Sequence, residues 1–163
     1  MSTPAPPGAQ PGGLGDGEPV IGIPPAVTDE TAPFWEAAAE GRLVVERCQD
    51  CGAETFPPRG ICRSCRSRSM AWADIRGPGR IYSLTVNHQR WLPGLEVPYA
   101  IVLVEFDDHP GVRVVGRLRG CPPDEAEIGM PVEVGFEPGP GGFSVPSFVA
   151  SGSTGPIESD GAA

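Results

Sequence analysis

A chain of 163 residues has room for one domain or two small ones. Its net charge of −9 argues against general duplex binding, which needs a basic face with many phosphate contacts. No apolar run reaches membrane-spanning length, so a membrane is not an expected partner.

Residues 1–27 are crowded with Pro, Gly and Ala. They lack the periodic apolar side chains that offset the entropy of ordering, so they are expected to be a disordered tail, as are residues 151–163. The opening Met-Ser-Thr-Pro has neither a basic n-region nor an apolar h-region, which reads as no secretory signal. A cytoplasmic location follows, where thiols stay reduced.

Residues 28–41 carry an N-terminal helix, predicted from about 31 to 40. Thr28 and Thr31 are candidate N-caps, Asp29 and Glu30 supply negative charge near the N-terminus, and Pro33 is tolerated in a first turn. The Phe34-Trp35-Glu36-Ala37-Ala38-Ala39-Glu40 run favours helix and Gly41 closes it. Phe34, Trp35 and Ala38 make one apolar face, able to dock on this chain or on another.

Residues 42–76 hold the strongest motif: Cys48 and Cys51, then Cys62 and Cys65, two CxxC pairs ten residues apart. Such spacing predicts a zinc ribbon of the rubredoxin-like kind, with four thiolates around one tetrahedral ion. Four protein ligands leave no open coordination position, so the zinc is structural. Roughly 18 residues cannot build an apolar core, and the metal supplies much of their folding energy. Either CxxC alone also suits a thioredoxin-like redox pair, but two of them without a surrounding βαβ pattern favour metal. From Arg42 to Arg90, nine arginines face four carboxylates, and the whole chain has no lysine. This basic island suits a small anion such as the phosphates of a nucleotide-bearing cofactor.

Residues 77–150 change to β chemistry. Strands are predicted at 79–86, 99–106, 112–118, 131–136 and 143–150, with a helical turn over 123–128, and this string fits a five-stranded OB-fold barrel. A small open sandwich would give a similar string. The second strand is apolar on both faces, so its outer face needs a cover: the helix, the ribbon or a partner subunit. The third alternates Arg113, Val115, Arg117 and Arg119 with Val114, Gly116 and Leu118, which places cations on one face, either solvated or binding an anion. The loop from Asn87 to Pro98 presents Arg90, Trp91 and Leu92; Trp91 either makes a contact surface or folds over the barrel mouth. His88 and His109 lie in no catalytic constellation, and Cys121 reads as a small apolar residue.

The order of parts, FWEAAAEGRLVVERC, the four cysteines, GPGRIYSLTVNHQRW and a barrel ending in VPSFVAS, resembles the zinc-ribbon and OB-fold family long labelled domain of unknown function 35. Its most specific elements are the paired CxxC motifs and the GxxYS segment Gly79-Arg80-Ile81-Tyr82-Ser83. The resemblance implies a small acyl-CoA-binding or scaffolding subunit, working beside thiolase-like aldolases, thiolases or acyl-CoA hydratases, some of which shorten steroid side chains in lipid metabolism. It implies zinc at Cys48, Cys51, Cys62 and Cys65, and a hetero-oligomer with the enzyme subunit. Under that reading Arg59, Arg63, Arg66 and Arg68 meet CoA phosphates, and Trp91 meets the acyl chain or the partner. The chain carries no segment matching the hot-dog domain of the larger steroid-pathway members, so a hydratase role of its own is not expected.

A competing reading is a single-stranded nucleic-acid-binding OB-fold protein. That function needs stacking aromatics along a basic groove, whereas acidic residues dominate the C-terminal half of this chain. An independent enzyme using Cys121 or His88 ranks below both.

Overall fold

The computed structural model describes residues 22–91 and 94–151. Most of the two predicted tails, at 1–21 and 152–163, and Leu92 of the loop lie outside the described residues. None of the helices among them is long and apolar enough to cross a membrane.

Helix α1 spans Ala32–Ala39 and opens on Thr31. Thr31 holds the N-cap position without capping: its hydroxyl oxygen accepts the Thr28 N–H at 2.9 Å. The C-terminal end is a Schellman motif. The Arg42 N–H reaches the Ala37 carbonyl at 2.8 Å and the Gly41 N–H reaches that of Ala38 at 3.0 Å, which needs the left-handed φ of +73° at Gly41. Phe34, Ala37 and Ala38 are buried, so the helix docks on its own chain, against the first and last strands.

Strand β1, Val44–Cys48, is the centre of a three-stranded antiparallel sheet between β2, Glu54–Thr55, and β3, Met70–Asp74. Sequence reading gave no strand at β3, because two alanines, a methionine and an aspartate carry little β-propensity. Pairing supplies what propensity lacks, since all five of its residues face β1 in unbroken register.

The remaining strands are β4, Gly79–Asn87; β5, Tyr99–Phe106; β6, His109–Arg119; β7, Pro131–Pro138; and β8, Ser144–Ala150. They close into a barrel of order β4-β5-β6-β8-β7, with β7 returning to β4 and β6 running parallel to β8. Closure settles the choice between barrel and open sandwich in favour of the OB-fold. The helical turn predicted over 123–128 is a single 3-10 turn at Pro123–Glu125.

Two glycines allow the barrel to pack. A Cβ at Gly79 would lie 2.4 Å from Val104 Cγ1, and one at Gly116 would lie 2.7 Å from the Pro146 carbonyl and 2.8 Å from the Phe148 ring. The glycine that opens the GxxYS segment is therefore a packing requirement. Within that segment Tyr82 faces outward by alternation with the buried Ile81, with the Arg113 guanidinium 3.5 Å from its ring centroid, and a bulge between Ile81 and Ser83 brings Ser83 onto the same face.

The apolar second strand resolves by alternation. Ala100, Val102, Val104 and Phe106 point into the barrel and are almost fully buried; Tyr99, Ile101, Leu103 and Glu105 face outward and are half-buried. Neither helix nor ribbon is the main cover: that outer row lies between Ser83 and Thr85 of β4 and Val115 and Arg117 of β6.

Gly116→Ala should destabilise the barrel by about 1–3 kcal/mol, the usual cost of overpacking; a denaturant midpoint measures it. Glu105 is held below the usual carboxylate range, chiefly by Arg113 Nε at 2.6 Å and then by the Gly111 N–H. A depressed carboxylate contributes stability fully above the unfolded value of about 4.3, and loses it as pH falls through the lower folded value. Thermal melts between pH 5 and pH 2 should therefore fall less steeply in Glu105→Gln than in the unaltered chain.

Candidate metal centre and basic knob

Each cysteine pair is a turn of the same construction. In the first, the Gly52 N–H bonds the Cys48 carbonyl at 2.9 Å and the Cys48 N–H bonds the Ala53 carbonyl at 2.9 Å. In the second, Arg66 N–H meets the Cys62 carbonyl at 3.0 Å and Cys62 N–H meets that of Ser67 at 2.8 Å. The residue after each second cysteine is left-handed, Gly52 at φ +74° and Arg66 at φ +63°. Arg66 is the one non-glycine at positive φ among the described residues, a conformation that costs roughly 1–2 kcal/mol.

The four sulfurs lie within 4.8 Å of one another, with Cys48 to Cys65 at 3.6 Å and Cys51 to Cys62 at 3.5 Å. A tetrahedron with Zn–S bonds of about 2.3 Å requires sulfurs about 3.8 Å apart, so the cluster fits zinc in number, chemistry and spacing. Backbone N–H groups of Cys65 and Ser64 aimed at its sulfur hold the Cys62 thiol down at about 6. Cys65 goes the other way, to about 12: the Ser67 N–H favours its thiolate, but the neighbouring Cys51 and Cys48 thiols outweigh it. The metal-free cluster thus holds protons that a cation must displace.

A residue that sequence reading passed over positions the second pair. Glu46 is buried at 5% exposure, and its carboxylate accepts the Arg59 N–H at 2.6 Å and the Gly60 N–H at 3.0 Å. It fastens the loop entering Cys62 onto the strand that ends in Cys48. The available signal was a carboxylate beside Val44 and Val45 in a strand where alternation puts it on the face opposite Arg47. A second link is His109, whose Nδ1 lies 2.8 Å from Glu54 Oε2 and joins β2 of the ribbon to β6 of the barrel.

Arg59, Arg63, Arg66 and Arg68 are all exposed on the ribbon, without a carboxylate partner among the described residues. Trp91 belongs to a different surface. It is 65% exposed in the loop between β4 and β5, with its Nε1–H donated to Asn87 Oδ1 at 2.9 Å, so it does not fold over the barrel mouth. The cationic face of β6 is partly spent: Arg113 pairs with Glu105 and Arg119 with Glu137, which leaves Arg117.

Cys121 is half-buried against the core, and desolvation, aided by the Glu125 charge, pushes its thiol up. A raised thiol supplies less thiolate, the opposite of what a nucleophile needs. His88 lies exposed, 3.9 Å from the exposed Asp124.

Two family models match consecutive segments of the chain: the rubredoxin-like zinc ribbon domain of ChsH2 over residues 35–71, and the C-terminal OB-fold domain of ChsH2 over residues 72–137. A probable enoyl-CoA hydratase alpha subunit of Thermomonospora curvata is 40% identical over 108 residues, 66% of this chain and 33% of that protein. The 3-oxo-4,17-pregnadiene-20-carboxyl-CoA hydratase alpha subunit of Mycobacterium tuberculosis is 34% identical over 112 residues, 69% of this chain and 35% of that protein. The chain thus spans about a third of the length of these curated relatives. Among solved structures, a chain of an Ltp2-ChsH2(DUF35) aldolase superposes with a TM-score of 0.71 at 35% identity, covering 78% of this chain and 98% of that one.

Any single Cys→Ser change in the cluster, or a strong chelator, should unfold the ribbon, as structural zinc contributes on the order of 10 kcal/mol in comparable modules. Zinc content by atomic absorption and amide exchange over residues 44–74 measure this; full exchange protection without metal would contradict it.

Proposed function

The chain belongs to the family of ChsH2-type zinc-ribbon and OB-fold proteins, DUF35, and from that membership we propose that it is a noncatalytic accessory subunit of an acyl-CoA-processing enzyme. Its partner is a thiolase-like aldolase or thiolase subunit, and the two form a hetero-oligomer. The observation that carries this reading is the likeness to the DUF35 chain of an aldolase, matched over almost all of its length. Zinc held by Cys48, Cys51, Cys62 and Cys65 folds the ribbon, and with its four ligands in place has no position left for a substrate. The relative from Mycobacterium tuberculosis supports a steroid or lipid side chain as the acyl group.

In this assembly the exposed arginines of the ribbon bind the phosphates of CoA. Arg66 gives the best support. At the equivalent place in the first pair stands Gly52, which takes the left-handed conformation without cost; the second pair accepts the strain of an arginine. A guanidinium needed at that spot accounts for the choice.

Arg66→Gly separates the two roles. Thermal stability of the zinc-loaded protein should hold or rise, by up to about 1 kcal/mol, because the left-handed strain is removed. CoA affinity of the assembled complex, followed by titration calorimetry, should fall about tenfold per lost contact, as in Arg59→Ala, Arg63→Ala and Arg68→Ala. Unchanged CoA affinity with intact zinc content in all four variants would overturn the phosphate assignment.

A further inference from the structure

The outer face of β4, β5 and β6 carries side chains that the fold leaves unspent. Cross-strand register places Ser83, Leu103 and Val115 in one row, Thr85, Ile101 and Arg117 in the next, and Asn87 beside Tyr99 in a third. Tyr82 stands at one end of these rows and Trp91, tied to Asn87, at the other. Exposure is 48% at Tyr82, 57% at Val115 and 65% at Trp91, with Ile101 and Leu103 half-buried between them. These side chains form one apolar and aromatic strip along a regular sheet. The indole is held by its hydrogen bond, so little ordering entropy remains to be lost when it is covered.

Arg117 gives the strip its chemical preference. It is half-buried, has no carboxylate within 4.0 Å among the described residues, and its guanidinium lies 5.0 Å from the Tyr99 ring centroid. Desolvation, with the neighbouring Arg119 adding to it, pulls its affinity for a proton below the usual arginine range, and the more distant charges of Glu137 and Glu96 offset this only in part. A partly desolvated cation with no carboxylate in contact is poorly satisfied in the isolated chain. A carboxylate brought up against it in a covered interface would form a charge-assisted pair.

We propose that this face is the docking surface for the enzyme subunit, and that the matching patch on the partner is apolar around a carboxylate that pairs with Arg117. This rests on the accessory-subunit reading and adds where the partner sits. An outward sheet face encloses nothing, so a small ligand gains little burial there. A nucleic-acid strand would use Tyr82 and Tyr99 for stacking but would meet few cations on these three strands, since Arg80 and Arg113 are paired with Asp107 and Glu105, in a chain of net charge −9.

The test uses the full chain, tagged in its native host, with co-purifying proteins identified by mass spectrometry and the partner then made recombinantly. Val115→Glu and Arg117→Glu should each weaken that complex by roughly 30-fold or more in calorimetry, with zinc content and the circular-dichroism melt unchanged. Trp91→Ala should act in the same direction, and Glu133→Arg, exposed on β7, should not. Complexes that form equally well with the face variants overturn the docking surface while leaving the accessory role standing. Failure to recover any acyl-CoA-processing subunit overturns both, and a Trp91 fluorescence change with oligo-dT in that case would assign the face to single-stranded nucleic acid.

Discussion

The Phe34 ring lies 4.9 Å from Trp35 and 5.5 Å from Phe56 of the ribbon, and Trp35 in turn stands 5.3 Å from Phe143 of the barrel. This aromatic wedge joins the helix, the ribbon and the barrel. Leu43, Val44 and Val45 of the ribbon, Phe34 and Ala37 of the helix, and Ile81, Val102, Val104, Phe106 and Phe148 of the barrel form one continuous core. With each large apolar side chain contributing roughly 1.5–3 kcal/mol on burial, a ribbon with few such residues draws its orientation from the barrel. The His109 to Glu54 link adds a polar tie at a second point.

Because the core is shared, the two surfaces proposed for binding are held in a set relation. The knob of arginines is carried on the ribbon and the apolar strip on the barrel, so the distance between them is set by the packing of the two. Metal chemistry contributes through shape, since the four thiolates close the loops that display Arg59, Arg63, Arg66 and Arg68.

Ion pairing separates two groups among the twelve arginines. Arg42 bridges Glu40 and Asp74 at the end of the helix, Arg113 holds Glu105 and Arg119 holds Glu137. Their charges are largely used within the fold. Arg59, Arg63, Arg66, Arg68 and Arg117 have no such use among the described residues, and they stand where a ligand or a partner can reach them. An exposed pair is worth about 0–1 kcal/mol, so the distinction concerns binding far more than stability.

The metal centre was legible in the sequence because two CxxC pairs at this spacing have few other chemical uses, and the barrel was legible because five apolar runs with turn residues between them form a short, regular string. The helix end was equally plain, since Gly41 supplies the one conformation a Schellman motif demands. Other features depended on partners distant in the chain. β3 exists through pairing with β1, Glu46 through amides thirteen and fourteen residues on, and Ser83 joins Tyr82 on the outer face through a bulge that no local pattern marks. The same holds for charge: the alternation on β6 announced a row of arginines, but only the closed barrel, by bringing Glu105 and Glu137 alongside, decided that Arg113 and Arg119 are paired while Arg117 has no carboxylate in contact among the described residues. Spacing along a chain determines local chemistry, whereas satisfaction of a charge or a strand edge is a property of neighbours that only the tertiary fold assembles.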